Sequence, residues 1–464
     1  MRWLSSLRWV LHMVERRQAQ VRLGVTHARL KLILAFAVFR VALDIGYVTF
    51  VNANFAYAGY ALDVEPSRYA LSWLLTALAA IMMPARFTQA AHLFLAYLGA
   101  VMLTPLTSLY GLASAPFTPI AASMASYGVV RVVAILVPPF ALPRIAYGRR
   151  IALAIAAAGL AFVIVRMSAL GGLASFNLDL TAVYEFRDMQ SDIVGGGIFN
   201  YVNVWAGKVM APLLLALGLL YRRWDIVAIA VGAHVVLFGV TAHKAVIFYP
   251  AAVTGIWLLF RRRPALWVLP AALAGVVSLS LIVTLVTQDL MAASLLVRRV
   301  FFVPARLTLD YFEFFTAFPP VLWSNSVLAP FFDYPYELSV ARTVGLWNGS
   351  GASANNGYVS SGYAHAHWIG VFVYSIILGT LLSVVNSIAR NVRSQWFAAA
   401  VMFVPLMATV SSDLLTAMLT HGVLPSLVLL LLVASSRSEP AAHTERARAS
   451  HHFPATSGPS STTP

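Results

Sequence analysis

The side chains of this sequence that could do chemistry are collected mainly in two polar intervals, residues 174–200 and 288–366, between long apolar stretches. Arginine and lysine pair with phosphate oxygens, and arginine stays charged at any relevant pH. A histidine or a carboxylate can serve a hydroxyl as a general base, and aromatic rings and amides suit a carbohydrate. The candidate catalytic residues are His365, His367, Arg298, Arg299 and Glu185. The candidate substrate-binding residues are Arg187, Lys244, Arg306, Arg342, Tyr311, Asn355 and Asn356.

The composition indicates a membrane protein. Hydrophobic residues make up 60% of the chain and charged residues 11%, which excludes an ordinary soluble domain. The net charge of +15 could indicate nucleic acid, but most basic residues lie in short loops at one set of helix ends, as in cytoplasmic loops. We therefore expect membrane lipids as partners and no nucleic acid. The sequence has no cysteine and no convincing metal-ligand cluster, so we expect no metal site and no cofactor.

The spacing of apolar runs predicts an all-α, polytopic membrane protein with about 12 transmembrane helices. The predicted spans are 32–53, 69–85, 88–110, 120–141, 150–173, 201–220, 225–241, 244–260, 265–287, 367–389, 396–413 and 415–434. An even number of spans puts both termini on one side. The loops that carry Arg86, Arg149, Arg222, Arg261 and Arg390 share the side of the basic N-terminus, which predicts cytoplasmic N and C termini.

These spans divide the chain into three parts. Residues 1–30 are predicted to be a basic amphipathic segment on the cytoplasmic leaflet. Residues 31–434 form the transmembrane domain, with external loops at 174–200 and 288–366, the second lying between helices 9 and 10. Residues 435–464 are rich in Ser, Thr, Pro and Ala without apolar periodicity, which predicts a disordered cytoplasmic tail.

Several charges fall inside predicted spans, where a charge is costly and is a functional hypothesis by default. Arg40 and Asp44 are four residues apart, so they share a helix face and can form either a structural or a functional pair. Arg131 has no partner in its own span. Arg166 and Lys208 lie toward the outer ends of their spans, where they either extend outward to the interface or line an external cavity. A cationic cluster at the outer face would suit an anionic ligand such as a lipid pyrophosphate.

The sequence resembles the O-antigen polymerases, also called oligosaccharide repeat-unit polymerases, over residues 30–434. The resemblance rests on topology and on short motifs around the two polar intervals. These motifs are Val183-Tyr184-Glu185-Phe186-Arg187, His243-Lys244, Arg298-Arg299-Val300-Phe301-Phe302-Val303-Pro304, Tyr311-Phe312, Trp323-Ser324-Asn325-Ser326 and Ala354-Asn355-Asn356-Gly357-Tyr358. Some members carry an arginine followed ten residues later by glycine in both loops, and that spacing is absent here for Arg187, Arg306 and Arg342.

This resemblance implies a polysaccharide polymerase in the bacterial inner membrane, acting in O-antigen or exopolysaccharide biosynthesis. Such an enzyme transfers a growing glycan from undecaprenyl pyrophosphate to the non-reducing end of the next lipid-linked repeat unit at the external face. It needs no nucleotide or metal, because the pyrophosphate lipid is already activated. The implied partners are the undecaprenyl-pyrophosphate-linked oligosaccharide, a chain-length regulator and a flippase.

Three other interpretations of the function stay open. An O-antigen ligase has similar topology and the same type of donor but passes the glycan to the lipid A core. A polyprenyl-phosphate-sugar glycosyltransferase often carries paired acids in its first external loop, where this chain has Asp63-Val64-Glu65. A polysaccharide flippase or other transporter with the same number of spans would fit the topology, but it rarely needs a loop as large as 288–366.

Overall fold

The computed structural model of this chain describes residues 26–143, 145–171, 176, 197–241, 244–262 and 265–436. The predicted basic segment 1–30 and the predicted tail 435–464 lie almost entirely outside these residues, as does most of the interval 174–200. Glu185 and Arg187 therefore lie outside the described residues. Lys244 begins the short 3₁₀ helix Lys244–Phe248, and the structure describes its backbone only.

The described chain is helical apart from turns and isolated bridges, which confirms the all-α prediction for this part. Several long helices contain a widened π-helical segment, such as Tyr47–Asn52 in the first helix. The helices are α1 Thr26–Ala58, α2 Pro66–Met82, α3 Ala90–Leu112, α4 Phe117–Leu136, α5 Gly148–Ala169, α6 Ile198–Tyr221, α7 Trp224–Thr241, α8 Tyr249–Phe260, α9 Val268–Thr287, α10 (residues 291–317), α11 Val340–Trp347, α12 Tyr358–Ala389, α13 Gln395–Met407 and α14 Leu414–Ala434.

Eight of the described helices are long and apolar enough to cross a bilayer, so the chain is a multi-pass membrane protein. They are α1, α3, α4, α5, α6, α9, α12 and α14. Helices α7, α8 and α13 are apolar but shorter, and α2 has 17 residues. Each predicted apolar run thus lies on a helix, while the count of about 12 spans and the cytoplasmic termini stay predictions.

Helix α3 forms the centre of the bundle, because its membrane-length window is 100% buried inside the protein. It packs against α2 on one side and against α4, α12 and α13 on the others. Helices α4 and α12 pack closely along their lengths. A Cβ added at Gly379 of α12 would lie 2.8 Å from the Val130 carbonyl oxygen, so a side chain there would force these two helices apart.

A buried ion pair fastens the first helices to one another. Arg40 of α1 is 0% exposed, and its Nε lies 2.6 Å from Asp44 Oδ1, which confirms the predicted pairing. Hydroxyls of α2 and α3 complete the network, so no charge is left without compensation. Arg40 donates to Ser72, Thr76 and Thr107, and Asp44 accepts from Tyr69 and Ser108. This pattern fits the structural alternative, since every member is engaged within the protein.

The interval 288–366 differs from the single external loop that the sequence predicts, because much of it is helix packed within the bundle. Helix α10 runs through residues 291–317, with a π-helical segment at Ser294–Phe302, and packs against α12. The aromatic run after Asp310 is buried, since Phe312 and Phe314 are both 3% exposed. It therefore cannot be an open platform for a sugar. Some of its buried polar side chains have partners on neighbouring elements, as where Asn348 donates to Asp310 Oδ2 at 3.1 Å.

Candidate functional site

A cavity of about 250 Å³ lies where α11, α12 and α14 come together, and we call it the polar cavity. Chain segments that are distant in sequence meet there, and the residues most relevant to chemistry are Tyr311, Asn325, Asn355, Asn356, His365 and Asp413. Ligand pockets usually measure ~300–1,000 Å³. The polar cavity is therefore sized for one end of a glycan rather than for a whole repeat unit.

A break in α12 forms one wall of this cavity. Helical geometry is lost at Ala366 and at His367, which has φ +48°. A broken helix leaves carbonyl groups without their usual amide partners. Here the amides of a neighbouring loop take the place of the missing helical donors. The amide of Val321 donates to the Ala364 carbonyl, and the amide of Leu322 donates to the His365 carbonyl, both at 2.9 Å. The break is thus held in place by residues 321–322.

The same loop orients the imidazole of His365. The backbone amide of Trp323 donates to His365 Nδ1 at 3.2 Å, so the proton of a neutral ring resides on Nε2. The Trp323 ring stacks on the imidazole with centroids 4.9 Å apart and an angle of 11°. Both Leu322 and Trp323 have positive φ, at +52° and +53°, which is a strained conformation for residues with side chains. The loop therefore stores strain at the place where it fixes His365.

Asp413 lies at the N-terminus of α14 and faces His365. Its Oδ2 lies 3.5 Å from His365 Nε2 and accepts a hydrogen bond from the Tyr374 hydroxyl at 2.8 Å. Its Oδ1 caps α14 by accepting from the amides of Leu415 at 2.9 Å and Thr416 at 3.2 Å. The Asp413 side chain is 27% exposed, whereas that of His365 is 6% exposed. Asp413 is therefore the more accessible of the two groups.

These contacts keep the Asp413 carboxyl ionised. Burial opposes ionisation, but hydrogen bonds from His365, from the Tyr374 hydroxyl and from the Thr416 amide hold the pKa of Asp413 below its ordinary value. A carboxylate so placed can orient a hydroxyl and accept its proton as a new bond forms. Because His365 already uses Nδ1 for the Trp323 amide and directs Nε2 at Asp413, it acts on the carboxylate rather than on a ligand.

The amides around the cavity fall into two groups. Asn356 is 3% exposed, and its amide donates to Thr308 Oγ1 at 3.1 Å and to Ser360 Oγ at 2.8 Å, which ties α10 to α12. Asn325 and Asn355 are exposed and border the cavity. They are the amides available to a ligand, while Asn356 is committed to the framework.

Two of the predicted arginines, Arg298 and Arg306, belong to a separate cluster along α10. Arg298 lies over the Phe55 ring at 4.1 Å, and within the described chain its buried Nε has no hydrogen-bond partner. Arg306 Nε lies 2.9 Å from Asp310 Oδ1, a contact of charges rather than an aligned hydrogen bond. Burial raises the pKa of Asp310 above its ordinary value, although Arg306 opposes the shift. We call Arg298, Arg306 and Asp310, with Phe55 and Tyr60 beside them, the arginine cluster.

One loop connects the arginine cluster to the polar cavity. Asn348 donates to Asp310 Oδ2 at 3.1 Å, and the Tyr311 hydroxyl donates to the Ala354 carbonyl at 2.9 Å. Asp310 and Tyr311 are adjacent on α10, so residues 348–356 contact both places. A ligand longer than one sugar could therefore reach from the cavity toward the arginines along this loop.

The remaining predicted residues do not line the cavity. The His367 Nε2 atom is hydrogen-bonded to the Phe315 carbonyl at 2.7 Å, so this histidine stabilises the helix break. Arg342 is exposed in the first turn of α11 and donates to the Gly351 carbonyl at 2.9 Å. Arg299 is exposed on α10. The structure thus brings Tyr311, Asn355, Asn356 and His365 to one site and leaves the arginines outside it.

Sequence reasoning missed Asp413, which we regard as the central residue of the site. It ends an apolar run and precedes Leu414, and an aspartate at such a place is a typical helix N-cap. A carboxylate between two predicted spans is also a functional hypothesis by default. The sequence carries both signals, but the capping role already explains an aspartate at this position, so the chemical role was not predicted. Tyr374 and the orienting role of the Trp323 amide depend on three-dimensional contacts and have no sequence signal.

Among the described residues, no group of three or more histidines and carboxylates could hold a metal ion. Comparisons with known protein families, with curated proteins and with solved structures find no match for this chain.

Proposed function

We propose that the protein is a glycan polymerase that joins lipid-linked oligosaccharide repeat units at the external face of a bacterial inner membrane. The observation that carries the proposal is an ionised, accessible carboxylate, Asp413, oriented by His365 in a cavity bordered by exposed amides. That combination suits a sugar hydroxyl that must be positioned and deprotonated. The resemblance to oligosaccharide repeat-unit polymerases gives the substrate class, an undecaprenyl-pyrophosphate-linked glycan.

The proposed reaction is a single group transfer. The non-reducing-end hydroxyl of the incoming repeat unit donates a hydrogen bond to the Asp413 carboxylate. As its oxygen bonds to the anomeric carbon of the growing glycan, its proton passes to Asp413. The bond between that carbon and the pyrophosphate breaks, and the electron pair leaves with undecaprenyl pyrophosphate. Asp413 then returns the proton to solvent or to the released pyrophosphate.

Two pyrophosphates take part, one on the donor lipid and one on the acceptor lipid, and we assign different arginines to each. The donor pyrophosphate must approach the reacting carbon, and Arg342 fits it because Arg342 follows Ser339–Ala341, which border the cavity. The acceptor pyrophosphate is separated from the reacting hydroxyl by a repeat unit. Arg298 and Arg306 fit that group, since they lie outside the cavity and are connected to it by residues 348–356.

The first test is the surface-glycan ladder of a strain deleted for this gene, with and without the gene restored. A core that carries one repeat unit and no ladder in the deletion strain, with the ladder recovered on restoration, supports the polymerase. Loss of all glycan from the core, with polymer accumulating on undecaprenyl pyrophosphate, would instead indicate the ligase. An unchanged ladder would reject both and favour the glycosyltransferase or the transporter.

A further inference from the structure

Two adjacent cavities at the far end of the bundle form a basic basin. Their volumes are about 570 and 760 Å³, and they share Leu220, Tyr221 and Arg393 as lining residues. Four separate chain turns supply arginines to it. We define the basic basin by the five arginines Arg149, Arg222, Arg261, Arg262 and Arg393.

The basic basin and the polar cavity lie at opposite ends of α12. His365 borders the polar cavity, and Arg393 follows the other end of the same helix. At about 1.5 Å per residue, the part of α12 after the break, from Trp368 to Ala389, spans roughly 32 Å. That length exceeds the ~30 Å hydrocarbon core of a bilayer. The basin therefore faces the opposite side of the membrane from the site of the proposed reaction.

Aromatic side chains hold several of these arginines in position. Arg261 lies over the Trp257 ring at 4.0 Å, and Arg149 lies over the Tyr221 ring at 5.2 Å while donating to its hydroxyl at 3.2 Å. Stacking of this kind restricts a guanidinium group without using up its donors. The basin is thus built with oriented donors rather than with freely moving surface chains.

In the part of the chain that the structure describes, these five arginines have no acidic neighbour in the basin. None of the described residues that line the two cavities is an aspartate or a glutamate. The acid that follows Arg222 in the sequence, Asp225, is paired with Arg223 at 2.7 Å on the exposed α6–α7 turn, and neither Asp225 nor Arg223 lines the basin. Arginines that converge without a counter-charge repel one another and favour an anion. Planar guanidinium groups match phosphate oxygens two at a time.

Backbone strain falls at the same place. Arg222 ends α6 with φ +56°, where glycine is usual, and Tyr147 precedes α5 with φ +58°. Both residues line the basin. A side chain held in the left-handed region costs of order 1–3 kcal/mol and tends to occur where a site needs it. The αL conformation of Arg222 directs the chain so that Arg222 and Arg261 border one cavity.

We propose that the basic basin binds a phosphate-bearing anion on the membrane face opposite the polar cavity. Its chemistry fits two neighbouring phosphates, either on a membrane lipid headgroup or on a soluble diphosphate. Apolar lining by Trp257, Trp396 and Phe397 beside the arginines is compatible with an acyl chain. The inference is independent of the proposed polymerase activity, because it rests on residues of the other membrane face.

Binding to the full-length protein in phosphatidylcholine nanodiscs tests the proposal with two probes. Cardiolipin is the lipid probe, measured by native mass spectrometry, and inorganic pyrophosphate is the soluble probe, measured by calorimetry. We expect Arg393→Gln and Arg261→Gln to weaken binding at least about tenfold, or about 1.4 kcal/mol. Arg223→Gln is the matched control, because it removes one arginine from the same face outside the basin, and we expect less than about a twofold change.

The two probes separate the sources of the phosphate. A loss with cardiolipin alone assigns a lipid headgroup, and a loss with pyrophosphate alone assigns a soluble diphosphate. Arg393→Lys keeps the charge but lacks the planar fork, so a several-fold loss in this variant supports a built site even if Arg393→Gln is unstable. Equal effects of Arg393→Gln and Arg223→Gln, or no binding of either probe to the wild-type protein, would overturn the proposal.

Discussion

Replacing the Asp413 carboxylate by an amide tests the proposed chemistry most directly. Asp413→Asn keeps the size of the side chain and its ability to cap α14, because asparagine caps helices about as well as aspartate. It removes the negative charge that faces His365 and the Tyr374 hydroxyl. The variant therefore separates the role of the carboxylate in the reaction from its role in the fold.

The expected loss of activity is much larger than the expected loss of stability. A positioned general base contributes roughly 10²–10⁴-fold to a rate, which is about 3–5 kcal/mol of the barrier. In the folded state the change converts charge-assisted contacts with His365 and Tyr374 into neutral ones, for a cost of about 1 kcal/mol each. The His365 contact is long at 3.5 Å and the carboxylate is 27% exposed, so the sum is smaller still. We expect the variant to accumulate normally and to be nearly inactive.

The assay is the glycan ladder of the deletion strain carrying each variant, together with an immunoblot of the membrane fraction. Asp333→Asn is the matched control, because Asp333 is an exposed aspartate of the interval 288–366 and does not border the cavity. We expect the control to give the wild-type ladder, and Asp413→Asn to leave single repeat units. A wild-type ladder from Asp413→Asn at normal abundance would refute the role of this carboxylate, even if the protein is a polymerase.

Three further changes test other parts of the molecule. His365→Gln removes a group that lowers the pKa of Asp413, so the acidic limb of the pH–activity profile in membrane vesicles should move to higher pH; an unmoved limb would contradict the orienting role. Arg298→Ala should abolish long glycan while protein abundance stays intact, because loss of a charge-assisted contact should reduce turnover roughly 10–100-fold. A normal ladder from this variant would remove Arg298 from the mechanism. Arg40→Met should lower the free energy of unfolding by about 3–5 kcal/mol in detergent, since it leaves Asp44 buried without its counter-charge, and Arg40→Met with Asp44→Leu should recover part of the loss.

The bundle was largely predictable because apolar length is a local property of the sequence. A run of apolar residues can satisfy its backbone in a membrane only as a helix, and the predicted runs lie on helices. The pairing of Arg40 with Asp44 was predictable for the same reason, since the spacing of four residues places both on one face. Helix α10 was not predictable in this way. Its arginines and acids lower its apolarity below that of a span, and its place in the bundle depends on partners from other helices.

The candidate site was predictable in its residue types and less so in its assembly. His365 and the asparagines drew attention as chemistry-bearing residues in a polar interval, and the structure brings several of them to one cavity. The sequence treats His365 and His367 as equivalent. They diverge because the break between them turns one ring toward Asp413 and the other toward the Phe315 carbonyl. A difference of that kind follows from φ at two residues, which no pattern of residue types specifies.

The strain around the polar cavity indicates why this arrangement is maintained. An unbroken α12 would satisfy its own carbonyl groups and would not need Leu322 and Trp323 in the left-handed region. The chain instead accepts that cost, of order 1–3 kcal/mol per residue, and gains an amide aimed at His365 Nδ1. That amide fixes the proton of neutral His365 on Nε2, which faces Asp413. The broken helix and the strained loop thus act together. They orient His365 toward Asp413, and this contact helps to keep the accessible Asp413 carboxylate ionised.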